Sequence, residues 1–213
     1  MRRLHVWSIA LALAIAAPPL HADDRLKVVA SFSILGDFVR NVGGDRVDVT
    51  TLVGANGDVH VFSPAPADAK KVAGAKLLVI NGLGLEGWLP RLLQASASKA
   101  KVVVATKGIV PLKVGSQLDP HAWQSVDDAK IYVKNIRDAL SKADPADADR
   151  FRKNAAKYLT RLDALDREVR QAIAQIPPKR RKVISTHDAF GYFASAYGME
   201  FVAPQGVSTE SEA

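Results

Sequence analysis

KLLVIN (residues 76–81) and KVVVAT (residues 101–106) are two short apolar runs with polar ends, and their reading decides the fold. Neither alternates apolar with polar residues, so both read as strands buried on their two faces. Between them, Trp88, Leu89, Leu92 and Leu93 recur at helical spacing within residues 86–97. Strand, helix and strand in that order make a parallel sheet covered by helices. Working outward, LKVVAS (26–31) is a further strand, and residues 34–42 form a helix that Gly43-Gly44 ends. Residues 46–53 alternate as a strand does. Residues 66–75 form a short helix with Pro66 in its first turn.

Past a loop at 107–123, residues 125–142 form a helix, and a longer one runs over 146–176. Its apolar stripe is Leu159, Leu162, Leu165, Val169 and Ile173. At 1.5 Å per residue it would reach about 46 Å, more than one small lobe needs, so it joins two lobes. Pro177-Pro178 ends it, and a second α/β unit begins: strand 182–186, helix 188–197, strand 200–203. Two strands and one helix are too few to close a domain. The expected organisation is a signal peptide (1–22), an N-terminal lobe (23–143), a linking helix (144–178) and a partial C-terminal lobe (179–213), cut short at its C-terminus.

Arg2-Arg3, an apolar stretch over 6–17 and the small Ala22 are the layout of a cleaved secretory signal. That stretch is shorter than the roughly 20 residues a spanning helix needs, so stable membrane insertion is not expected. Cysteine is absent, which excludes disulfides, a thiolate metal site and a lipid-bearing cysteine in this sequence. Export without a tether points to the periplasm. Removing residues 1–22 takes two of the 29 basic residues and none of the 22 acidic ones, leaving a balance of +5. The positives are scattered apart from Lys179-Arg180-Arg181-Lys182, and no aromatic-interleaved basic patch accompanies them, so no nucleic-acid partner is expected.

Of five histidines, His5 and His21 fall in the signal peptide. His60, His121 and His187 remain, and each falls at a strand-end loop beside an acid or a proline. Ligands of open α/β sheets gather outside the carboxyl ends of the strands. Three imidazoles converging there, completed by a carboxylate or water, suit zinc. For any one of them, a hydrogen-bonding role on the surface or in the core is the alternative.

These residues carry a resemblance to a known family. The segments VASFSILGDFVRNVGG (29–44), GDVHVFSPAPADA (57–69), VINGLGLEGW (79–88), DPHAW (119–123), STHDAFGYF (185–193) and APQGVSTESE (203–212) resemble those of the zinc/manganese substrate-binding proteins of ABC importers, the cluster 9 solute-binding proteins. The resemblance implies an α/β fold of two Rossmann-like lobes joined by one long rigid helix, the second lobe incomplete here. It implies a periplasmic, monomeric protein that is not an enzyme, binds a divalent metal and delivers it to the membrane permease of an ABC transporter. The implied metal ligands are His60 and His121 from the first lobe and His187 from the second. Histidine at the third position leans toward Zn2+, with Mn2+ as the alternative. The family's fourth ligand, an Asp or Glu further along the second lobe, is expected beyond residue 213; a water, Asp188 or Glu210 would otherwise fill its place.

Other residues have more modest readings. Asp119 either orients an imidazole or forms a turn before Pro120. Trp88 packs the core, and Trp123 covers the cleft. Asn81-Gly82-Leu83-Gly84 lacks the lysine and hydroxyl of a phosphate loop and reads as a tight turn. Phe190, Tyr192 and Phe193 pack the second lobe. A zinc-dependent hydrolase is the rival from another class, but no His-Glu-x-x-His or comparable paired motif is present.

Overall fold

The computed structural model of the chain describes residues 25–209. The expected signal peptide and Glu210 lie outside the described residues. The first lobe runs β1 (Leu26–Phe32), α1 (Ser33–Gly43), β2 (Val47–Val53), α2 (Pro66–Ala73), β3 (Leu77–Ile80), α3 (Leu89–Ser96) and β4 (Lys101–Val104). The four strands are parallel in the order β2-β1-β3-β4. Val28 stands opposite Val49 on one side and Leu77 on the other. All of β3 and the last five residues of β1 are buried, as central strands covered on both faces must be.

KVVVAT departs from the reading of a fully buried strand. In β4 only Val103 is buried, while Val102 and Val104 are half exposed. β4 is the sheet edge, so its alternate side chains lack a covering element. The helix read from residue 86 starts at Leu89 instead. Glu86 is occupied elsewhere: its carboxylate turns back to accept the N–H groups of Asn81 and Gly82.

The segment read as a loop over 107–123 holds a small antiparallel hairpin, β5 (Lys113–Val114) and β6 (Gln117–Leu118), turning at Gly115. Arms of two residues are too short for alternation to show in sequence. Helix α4 (Val126–Ala143) follows, with the Ser125 hydroxyl accepting the Asp128 N–H and two acids in the first turn.

Helix α5 (Ala148–Ala174) has 27 residues, about 40 Å at 1.5 Å per residue. It packs along α1 and α4 and reaches the second lobe at its far end. Its buried face starts earlier than the expected stripe, with Ala148, Phe151, Ala155 and then Leu162. Leu165 is 43% exposed, because it sits off the face that continues through Val169 and Ile173. Among the described residues no helix is long and apolar enough to cross a membrane.

The second lobe comprises β7 (Lys182–Ile184), α6 (Gly191–Tyr197) and β8 (Glu200–Val202). β7 and β8 pair in parallel, and the pairing extends to a bridge between His187 and Gln205. Helix α6 begins three residues later than the pattern suggests. The Asp188 N–H bonds to the carbonyls of Gln205 and Gly206, so those residues continue the sheet and not the helix. Phe190 stacks on Phe201 at 4.7 Å, and Phe193 meets Phe201 edge-on, both within this lobe.

Candidate metal centre

His60 lies in the segment after β2, His121 in the segment between β6 and α4, and His187 in the segment after β7. All three point into one cleft of about 540 Å³, which Trp123, Gln124, Phe190 and Gln205 also line. Each imidazole offers a nitrogen within 4.8 Å of the other two. The Nε2 atoms of His60 and His121 are 3.1 Å apart. His60–His187 and His121–His187 ring centroids lie 5.6 and 5.3 Å apart. The sequence reading therefore named three residues that the fold does bring together. The Asp188 carboxylate is not in that group.

Each ring is held differently. His121 is 2% exposed, and its Nδ1 lies 2.8 Å from Asp119 Oδ1. A carboxylate only accepts, so Nδ1 carries the proton and Nε2 presents its lone pair to the cleft. Asp119 Oδ1 also accepts the His121 N–H at 2.9 Å, so both readings of Asp119 hold: it shapes the turn and aims the ring. The His60 N–H bonds to Asp58 Oδ1, and the neighbouring Val59 carbonyl accepts the Trp88 indole N–H at 2.9 Å. His187 Nε2 is buried with no hydrogen-bond partner among the described residues. Trp88 packs in the core as expected. Trp123 sits against both the His121 ring and Phe32 on the cleft wall.

A deeper polar layer escaped the sequence reading. Asn81, fully buried at the end of β3, donates from Nδ2 to the Pro120 carbonyl and accepts the Tyr132 hydroxyl at Oδ1. Buried Glu86 accepts from Ser31 Oγ at the end of β1 and from the Asn81 and Gly82 N–H groups. This layer lies where strand order reverses between β1 and β3, the place where open α/β sheets put their sites. The only sequence signal was an apolar strand closing on asparagine. Gly82 has φ +85, and a Cβ there would press on the Val104 side chain, so the tight turn read at 81–84 needs its glycine.

The electrostatics favour the neutral form of His60 and His187. Burial, with His121 close by, lowers the His60 pKa from 6.5 to about 4. Burial and His121 lower that of His187 as well. Burial raises the Asp58 carboxyl, but the Thr209 hydroxyl, the His60 N–H and the nearby imidazoles outweigh it and hold the acid below its usual range. For the histidines the unfolded chain takes up protons near 6.5, and folded His60 does so only near 4. Stability is therefore lost as pH falls through that window. The expected loss without metal, allowing for solvent screening, is on the order of 2 kcal/mol. Denaturant unfolding at pH 7.5 and 4.5 checks this, and a His60→Ala, His187→Ala variant should flatten the dependence.

A two-lobed α/β protein with three inward-facing imidazoles between its lobes belongs to the class of metal-binding proteins. Residues 28–213 match the family model of the periplasmic component A of the zinc-uptake complex, ZnuA, and the chain belongs to that family. It is 34% identical to the manganese-binding lipoprotein MntA of Halalkalibacterium halodurans over its full length and 74% of that protein. It is 33% identical to the iron-binding protein YfeA of Yersinia pestis, over 91% of this chain and 64% of that one. The solved periplasmic zinc-binding protein TroA of Treponema pallidum superposes with a TM-score of 0.84 at 32% identity, covering 89% of this chain and 70% of that one. The chain thus spans about two thirds to three quarters of the length of these relatives.

Proposed function

We propose that the protein captures a divalent transition-metal ion between its lobes and hands it to the membrane permease of an ABC importer. His60, His121 and His187 are the ligands supplied by this chain. One observation carries the reading: three imidazoles from three distant segments face each other, one with a buried Nε2 that has no hydrogen-bond partner among the described residues. A cation is the natural partner of lone pairs aimed at one point. In a tetrahedral zinc site with bonds of about 2.0–2.1 Å, ligand atoms sit roughly 3.3 Å apart. The His60–His121 pair is already near that separation. Drawing the wider pairs together asks only for a small closure of the cleft.

Zinc is the preferred cargo, because three nitrogens suit it better than manganese, which favours oxygen. The relatives named for manganese and iron make Mn2+ the second reading. The protein acts as a monomer in the periplasm. It binds and releases, and no hydrolytic chemistry is assigned to the cleft. Calorimetric titration of the metal-free protein tests this. Zinc should bind with a stoichiometry of one and raise the melting temperature at concentrations where manganese does not. A His60→Ala, His121→Ala, His187→Ala variant should lose the response. Equal zinc binding by that variant removes the site, and tighter binding of manganese reverses the metal assignment.

A further inference from the structure

Tyr192 does not pack only its own lobe. From the first turn of α6 its hydroxyl donates to the Asp119 carbonyl at 3.0 Å and accepts the Leu112 N–H at 3.0 Å. Both partners belong to the first lobe, and Tyr192 itself is 4% exposed. Asp119 is the residue whose carboxylate fixes the His121 ring. Just before Tyr192, Gly191 lies so close that a Cβ there would sit 2.6 Å from Asp119 Oδ2. The start of α6, four residues past His187, is therefore pressed onto the turn that carries His121.

We infer that Tyr192 is a positioning residue: it ties the His187 lobe to the Asp119–His121 turn and so sets the spacing of two of the three imidazoles. The inference rests on the proposed metal site. Two hydrogen bonds at one hydroxyl fix both the distance and the rotation of α6 against that turn. The ring contacts of Phe190 and Phe193 with Phe201 are made within the second lobe and carry no hydrogen bond to that turn. A geometry preset in this way spares the ion the cost of ordering the lobes, which raises affinity.

The neighbouring Tyr197 supplies the control. Its hydroxyl also joins α6 to other helices, accepting the Val126 N–H and donating to Asp166 Oδ1, yet it touches neither Asp119 nor the histidines. Tyr192→Phe and Tyr197→Phe each remove one hydroxyl and should lower the melting temperature by similar amounts. Only Tyr192→Phe should weaken Co2+ binding, by about tenfold, and alter the visible d–d spectrum of the bound cobalt. It should also shift the His121 ring nitrogen resonances of the metal-free protein. If both variants leave the cobalt spectrum and the ring resonances as in the unaltered protein, Tyr192 is structural and the inference falls. If the unaltered protein binds no cobalt, the metal reading fails on its own, and the ring resonances of the metal-free variants still decide the role of Tyr192.

Discussion

His121→Ala is expected to weaken zinc binding about 100- to 1000-fold. Structural zinc sites with four ligands bind with roughly 10–16 kcal/mol, so one ligand's share is about 2.5–4 kcal/mol. His121 should reach the full share for two reasons. Its ring is aimed before the ion arrives: Asp119 holds Nδ1, and the Asn81 side chain holds the adjacent Pro120 carbonyl. It is also the most enclosed of the three, so water has poor access to replace it. Removing the ring leaves the fully buried Asp119 carboxylate without its ring N–H donor, which adds a stability loss and no new ligand. Competition titration against a zinc chelator gives the affinity, and far-ultraviolet circular dichroism checks that the fold persists. An affinity within tenfold of the unaltered protein, in a folded variant, would falsify the assignment of His121 as a ligand.

The parts of the molecule that sequence made legible are those in which one residue type does one job. Short, mostly apolar runs without alternation give β1 and β3, and the long apolar stripe gives α5. The three histidines were legible because each sits where a strand gives way to a loop, and strand ends of a parallel sheet face one crevice. Sheet position was not legible: KVVVAT reads the same whether β4 is central or at the edge, and only strand order shows that Val102 and Val104 face outward. Residues working through long-range pairing were also hidden. Tyr192 reads as an aromatic of its own helix, and its partners Leu112 and Asp119 lie more than seventy residues away. The same holds for Glu86, whose role depends on Ser31, 55 residues earlier. A carboxyl in a helical pattern gives no hint of being buried and bonded to three donors, with burial pushing its pKa up.

Asn81 shows what that hidden layer contributes, and Asn81→Leu is expected to cost about 3–5 kcal/mol of stability. Leucine keeps the branching and the number of heavy atoms but is bulkier, so part of the loss is overpacking at a site with no exposure. The three side-chain hydrogen bonds of Asn81 are lost: Nδ2 to Pro120 and Gly82, and Oδ1 from Tyr132 at 2.6 Å. The Pro120 carbonyl then loses its Asn81 donor, and the Tyr132 hydroxyl loses its acceptor and keeps only its bond with the Trp123 backbone, in a dry interior where an unsatisfied group costs about 1–3 kcal/mol. Tyr132 is fully buried, so no rotation takes its hydroxyl to water. Tyr132→Phe in the Asn81→Leu background should restore a small part of the loss: it removes the hydroxyl that has no acceptor and relieves the crowding by leucine, although the Trp123 backbone group then loses that hydroxyl as a partner. The Pro120 carbonyl stays unpaired in that double variant, and the turn bearing His121 remains unanchored. Stability and metal affinity therefore separate: the double variant should melt higher than Asn81→Leu alone and bind zinc no better. Thermal denaturation with parallel zinc titration reads both quantities. Recovery of affinity together with stability would show that Asn81 acts on the fold as a whole and not on the placement of His121.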